Sequence, residues 1–366
     1  MKYDFLVVGA GISGLTFARS AADKGRKVLV VEKKAFPGGL LHCRMEGPIE
    51  VHEYGPHIFH TSERRVWDFF RRFAELDGFV NSPVAMTDRG IVSLPFTMYT
   101  FNQLWGTKTP DEALKKLEEQ RQHLDREPLN IKEKALAEVG SDIYYLLIEG
   151  YTEKHWGRSC DELPPWIIGR LPARLTYDCR YFSDRWQGLP ADGWNAFIEA
   201  IVDHPNMTIL YGVDFFEHRS ELEVQAETII CTAPVDQWHD WCEGMLEWRT
   251  LEFKEEIHAC ESVQGAPVIN WPSRSVQWTR TSEWKHFRNV KCDFTIVTKE
   301  HPMKWISGME PLYPIPSARN KEMLAAYSIR TINELNVHFL GRQGRYKYLN
   351  IDKAILESLD LAERLL

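Results

Sequence analysis

Tyr3–Glu32 reads YDFLVVGAGISGLTFARSAADKGRKVLVVE. Phe5 to Val8 is an apolar, β-branched run and reads as a buried strand. Gly9, Gly11 and Gly14 follow in G-x-G-x-x-G spacing, with Ser13 inside the motif. Leu15, Phe17, Ala18 and Ala21 continue at helical spacing to Gly25, a helix stop, and Val28 to Val31 form a second strand that ends at Glu32. The three glycines serve different physical ends. The first makes a tight turn, the second lets backbone approach a pyrophosphate, and the third lets helix pack on strand. The helix that follows turns free N–H groups and a partial positive charge toward phosphate. Glu32, 18 residues past Gly14, is placed to accept from a ribose 2′-OH and would repel a 2′-phosphate, which disfavours NADP. The stretch predicts an α/β dinucleotide-binding unit.

Outward from it, KKAFPGG follows, and the doublet Gly38–Gly39 opens a loop where backbone can pass close to a cofactor. Glu32 with this doublet resembles flavin enzymes of the two-dinucleotide-domain type. Ile49, Val51 and Glu53 alternate with polar partners as in a strand, and Tyr54 to Thr61 make a compact aromatic and histidine cluster. Thr61 or Ser62 is placed to cap a helix over Glu63–Phe73. His57 and His60 stand three apart, but no carboxylate or cysteine completes a metal-ligand set at ordinary spacing. Histidines beside a cofactor ring, or simply structural ones, are the readings left.

Residues 83–95 alternate like strands. From Met98 to Gly150 the chain turns helical: Thr109 is a cap, Pro110 opens the first turn, and Ser141 caps a helix through Ile148. Residues 151–194 then mix Tyr151, Trp156, Tyr181 and Trp186 with Arg158, Arg170, Arg174, Arg180 and Arg185. Rings stack a nucleobase and guanidinium forks bind diphosphate. The alternative is that these arginines pair with acids at domain junctions while the rings fill core. Alternation from Leu246 to Val297 signals an antiparallel sheet. The end, HFLGRQGRYKYLNIDKAILESLDLAERLL, reads as strand, glycine loop and helix, with Asn350 at the cap.

The 366 residues carry a net charge of −8, which argues against non-specific nucleic-acid binding. Seven cysteines without a C-x-x-C pair predict reduced thiols and a cytoplasmic protein. No apolar run is long enough to span a membrane, and the start runs directly into the first strand rather than a signal peptide. There is no G-x-S-x-G, H-E-x-x-H or P-loop, so the chemistry reads as delegated to a cofactor.

The blocks VVGAGISGL, EVHEYGPHIFHT, YTEKHWGR, ELPPWIIGRLPARLTYDCRYFSDRWQG, WTRTSEWKHF, EPLYPIP and FLGRQGRYKYLNIDKAI resemble, in order and spacing, the bacterial UDP-galactopyranose mutase family over essentially the whole chain. The resemblance implies a discontinuous FAD-binding Rossmann-type α/β domain (residues 1–80, 191–240 and 308–366), a helical domain with a mobile substrate loop (96–170), and an antiparallel sheet domain (81–95, 171–190 and 241–307). It implies a non-redox use of reduced FAD, with flavin N5 as nucleophile at the anomeric carbon of a UDP-sugar, an external reductant and a homodimer. By matched position it assigns substrate contacts to Tyr151, Trp156, Arg170, Tyr181, Asn270, Arg280, Tyr313, Tyr348 and Asn350, with Arg170 and Arg280 on the diphosphate. His57 and His60 fall beside the flavin, and with Arg170 and Arg280 they are the catalytic residues the resemblance implies. Cofactor contacts fall to Gly9, Gly11, Ser13, Gly14, Glu32, Lys33, Gly39, Leu40, Tyr54, His57, Ile58 and Val213, and late in the chain to Gly341, Arg342, Tyr348, Asn350 and Ile351. The chain departs from the family at Leu40 (usually Asn), Asn350 (usually Asp), and Leu312 and Trp186 (usually Tyr). Those changes leave open a different sugar nucleotide, deoxy or N-acetyl. An amine oxidase-like oxidoreductase shares the cofactor domain, and a non-catalytic nucleotide-sugar binder is a third reading.

Overall fold

The computed structural model describes residues 2–169, 173–332 and 334–366. Its organising unit is a five-stranded parallel sheet in the order Val337–Phe339, Ala226–Cys231, β1 (Tyr3–Val8), β2 (Val28–Glu32) and Met207–Tyr211. Strands buried on both faces read as continuous apolar runs, and the side chains of β1 divide accordingly. Phe5 and Val7 join the core under helix α1 (Ile12–Asp23), with Phe17, Phe197 and Ile355. Leu6 and Val8 join the opposite core with Phe215, Leu222 and Trp238. At roughly 1.5–3 kcal/mol for each fully buried large apolar side chain, these two cores fix the turn between β1 and α1. The C-terminal helix Ile351–Leu365 packs against α1, so the end of the chain returns to its beginning.

The second sheet has seven strands, in the order Tyr313–Pro314, Trp248–His258, Thr295–Lys304, Arg280–Glu283, Val268–Asn270, Val84–Thr87 and Gly90–Ser93. It is antiparallel except where Val268–Asn270 runs parallel to Val84–Thr87. On its far strands Ala85 and Val92 share a core with the helices Met98–Trp105, Pro110–Gln120 and Ile131–Glu138 and with the long helical stretch from Ser141 to Trp156. Thr109 and Glu112 form a capping box at Pro110–Gln120, as the sequence signals.

Several expectations need correction. Ile49–His52 does not alternate: all four residues are buried, Glu50 and His52 included, because the strand is covered on both sides. The helix after the histidine cluster is Arg64–Phe70, and its cap is Glu63, whose carboxylate accepts from the Arg65 amide; Thr61 Oγ1 instead accepts from the Glu63 amide at 3.0 Å. Gly140 occupies the cap position expected of Ser141. Asn350 does stand at the N-cap of Ile351–Leu365, but its side chain makes no capping bond there. Trp186–Gly188 pairs with Phe59–Thr61 rather than with the seven-stranded sheet. A helix at Ala318–Ile332 was not anticipated.

Candidate active site

The site is built by two clefts that meet. The first lies over the glycine turn and is lined by Gly9, Gly11, Ser13, Gly14, Glu32, Lys33, Gly39 and Val213, and from late in the chain by Gly341. The second, between the helices and the seven-stranded sheet, is lined by Tyr54, Ile58, His60, Tyr151, Trp156, Tyr181, Asn270, Arg280, Tyr313 and Tyr348. Among the described residues, five line both: Leu40, His57, Arg342, Asn350 and Ile351. Tyr54, Ile58 and Tyr348, expected on the cofactor, line the second cleft alone, although the Tyr54 hydroxyl accepts from Lys34 Nζ of the first at 2.8 Å. Arg170 lies outside the described residues.

The glycine turn fits a dinucleotide. A Cβ on Gly9 would sit 2.2 Å from Thr232 Oγ1, and one on Gly14 would sit 2.2 Å from the Gly9 carbonyl oxygen. Those two glycines are required by the protein itself. A Cβ on Gly11 would meet no protein atom within 4 Å. The open space there, at the start of α1, suits a ligand whose phosphates approach the backbone. The Glu32 carboxylate receives the Ala10 amide at 2.7 Å and the Lys34 amide at 2.9 Å, which holds it at the end of β2 with lone pairs left for a hydroxyl.

In the second cleft Arg280 Nε donates to Glu300 Oε1 at 2.8 Å, and Glu300 is buried. Burial works against the Arg280 charge, but the Glu300 carboxylate outweighs it and raises the guanidinium above its usual range. Gly55 explains part of the EYGPH block. A Cβ there, at φ +83°, would lie 3.1 Å from Glu300 Oε1, and the Gly55 carbonyl accepts from His57 Nδ1 at 2.8 Å. Because that carbonyl only accepts, the His57 proton is on Nδ1 and Nε2 is the acceptor. Burial first, then His52, Arg342 and Arg280, hold His57 down to about 3, so it is neutral. His60 pairs with Asp184 at 2.8 Å and stacks on Phe182. Burial keeps the Tyr151 and Tyr313 phenols well above their ordinary range, so both remain donors. Tyr313 stacks near Tyr348, and the Arg342 guanidinium lies over the Tyr348 ring at 4.8 Å.

Sequence reasoning missed three participants. Glu300 carries no motif; only the pairing of Arg280 with Glu300 across adjacent strands reveals it. His155, one turn after Tyr151, lines the second cleft. Lys154 buries its ammonium in four backbone carbonyls, those of Trp271, Ser273, Val276 and Trp278, and so ties the helix of Tyr151 to the loop between Asn270 and Arg280. A π-helical turn at Tyr144–Ile148 precedes that helix, a feature frequent at functional sites. Among the described residues Cys43, Glu50 and His52 come within 4.8 Å of one another, but Glu50 is already neutralised by Arg288 at 2.8 Å and His52 Nδ1 accepts from the His57 amide.

A model of UDP-galactopyranose mutase matches residues 146–348, and one of NAD(P)-binding Rossmann-like domains matches residues 7–73. The chain is 34% identical to a probable UDP-galactopyranose mutase of Klebsiella pneumoniae, over 99% of this chain and 94% of that one. It belongs to the UDP-galactopyranose mutase family. It is also 30% identical to the dTDP-fucopyranose mutase of Escherichia coli, over 98% of this chain and 97% of that one. In fold it is similar to a crystal structure of reduced UDP-galactopyranose mutase, with a TM-score of 0.73 at 16% identity, covering 99% of this chain and 95% of that one.

The chain is thus an enzyme of the isomerase class, a sugar-nucleotide mutase, and the UDP-galactopyranose mutase family together with the Rossmann-like unit implies a flavin. Of the departures from the family pattern, Leu40 and Asn350 lie where the clefts join, Leu312 lines the second cleft, and Trp186 stacks on Trp67 at 5.2 Å. No helix among the described residues is long and apolar enough to cross a membrane.

Proposed function

We propose that the protein interconverts the pyranose and furanose forms of a UDP-sugar, UDP-galactose foremost, with FAD held in the first cleft in its reduced form. The observation that carries this reading is the junction of the clefts at Leu40, His57, Arg342, Asn350 and Ile351, with Arg280 beyond it. Gly9, Gly11, Gly14 and the start of α1 would hold the diphosphate of FAD, and Glu32 its ribose. The chemistry the flavin supplies when bound is a nucleophilic nitrogen, N5, at the anomeric carbon.

The rest falls to the chain. Arg280, fixed by Glu300, binds the substrate diphosphate and keeps it in place as it leaves and returns; Arg170 is the second expected clamp. Tyr313, Tyr348 and Tyr181 offer hydroxyls to phosphate oxygens. His57, neutral with Nε2 unprotonated, accepts a hydrogen bond at the junction. The apolar walls of Leu40, Leu312 and Ile351 exclude water, which would hydrolyse an activated sugar. The nucleotide remains bound throughout, so the clamp lowers the cost of recombination by keeping the partners together.

A second reading, a deoxy sugar nucleotide, draws on Leu40 and Leu312, apolar side chains at and next to the junction, and on the relative that is a dTDP-fucopyranose mutase. Dithionite-reduced protein incubated with UDP-galactopyranose should give a furanose product by HPLC; a product from a dTDP-6-deoxyhexose alone would favour the second reading. No product from any UDP- or dTDP-hexose would refute both.

A further inference from the structure

His155 sits in the second cleft with its ring 4.5 Å from that of Tyr313, at 69°, and in a near-parallel offset with Tyr151 at 6.0 Å. Its Nδ1 is buried and has no hydrogen-bond partner, while the ring as a whole retains partial exposure and lines the cleft. The open edge of the imidazole is therefore the Nε2 edge. The tautomer follows. An N–H on Nδ1 would be an orphaned buried donor, which proteins avoid more strongly than an under-used acceptor. The proton belongs on Nε2, pointing toward the cleft. Burial holds the ring neutral, down to about 3, with the Arg280 and then the Arg249 guanidinium acting in the same direction. Arg280 is itself paired with the buried Glu300. The ring stands beside Tyr313 and Tyr151, in the cleft that Arg280 also lines.

We propose that His155 is a substrate-binding residue whose Nε2–H donates to an oxygen of the substrate's diphosphate, beside Arg280. The inference rests on the nucleotide-sugar reading above. A neutral donor has a use here that a third guanidinium would not: it adds a directed bond to the anion without further like-charge repulsion against Arg280 and Arg249.

The test is a binding series on the flavin-loaded protein with two probes, UDP and uridine, read by calorimetry. In H155Q the amide nitrogen replaces Nε2 at similar reach, and UDP affinity should stay within about threefold of wild type. H155F keeps a ring but no donor, and UDP binding should weaken at least 10-fold while uridine binding is unchanged. H155N, whose amide falls short of the Nε2 position, should behave as H155F and stands in for it if the phenylalanine variant loses its flavin. UDP binding by H155F equal to wild type would overturn the proposal. So would equal losses of UDP and uridine, which mean a packing role, or a failure of H155Q to retain affinity. Wild-type protein that binds neither probe would instead overturn the nucleotide-sugar reading itself.

Discussion

Arg280 and Glu300 lie on neighbouring antiparallel strands in direct register, and their side chains meet at 2.8 Å. The carboxylate is buried while the guanidinium keeps an open side toward the cleft. Glu300 thereby aims Arg280, leaving its remaining N–H groups for an anion. Arg280→Ala should weaken UDP binding by on the order of 2–4 kcal/mol and also lower thermal stability, because Glu300 is left buried without its partner. Calorimetric titration with UDP and a melting curve check both; unchanged UDP affinity would refute the role.

Gly11 and Gly14 should fail differently. In Gly14→Ala the new methyl collides with the Gly9 carbonyl at 2.2 Å, and overpacking of this kind costs about 1–3 kcal/mol, visible as a lower melting temperature of the flavin-free protein. In Gly11→Ala no protein atom is met, so the flavin-free melting temperature should hold. Flavin affinity should nevertheless drop at least tenfold, about 1.4 kcal/mol, as read from the ratio of flavin to protein absorbance. Equal flavin retention in the two variants would contradict the role of Gly11.

Acid should destabilise the fold through histidines. His52, His57 and His155 are each held down to about 3 by burial, against about 6.5 when unfolded. Their folded values are depressed, so the stability they contribute is complete above pH 6.5 and is lost as the pH falls toward 3. Within that window unfolding takes up as many as about three protons from this set. Denaturant titrations at pH 7, 6, 5 and 4 should show stability falling steadily. Replacing His52 by a neutral residue of similar size should flatten the slope; an unchanged slope would sink the assignment.

Lys154 should act on a loop rather than on the whole fold. Its ammonium meets four carbonyls between Trp271 and Trp278 at 2.6–3.2 Å. Burial alone would bring the amine down to about 8, whereas the carbonyl dipoles favour the charged form. Lys154→Met leaves those acceptors short of a donor, a loss of about 1–3 kcal/mol. Hydrogen exchange at residues 271–278 should accelerate, with exchange in β1 and β2 unchanged. Equal acceleration in both regions would point to global destabilisation instead.

The parts of this molecule that were legible in the sequence are those whose reasons are local. The β1 turn, Glu32, the capping box at Thr109 and the closing helix each declare themselves within a few residues. Arg280 was legible through resemblance, but Glu300 was not, because its significance is a strand register 20 residues away. The helix Ala318–Ile332 hid for another reason. It is anchored by polar groups, with Tyr327 donating to the Gly244 carbonyl and Asn320 to the Tyr346 hydroxyl, so its buried positions do not form an apolar stripe. His155 lay inside a quoted block, yet a histidine between a lysine and a tryptophan gives no signal until the fold shows which nitrogen is shut away. At Ile49–His52 the alternation was real in the letters and misleading in space, since Glu50 turned inward to meet Arg288.

The glycine turn at the beginning of the chain is completed from its other end: a Cβ on Gly341 would lie 3.0 Å from Ser13 Oγ, and Arg342, Asn350 and Ile351 close the junction of the clefts. During synthesis this imposes a delay. The ribosome must release more than three hundred residues after Gly14 before the cradle is whole, and at roughly 5–20 residues per second the nascent chain spends tens of seconds with an unfinished cofactor bed. A flavin bed that needs Gly341, Arg342, Asn350 and Ile351 would stay open until those residues are in place.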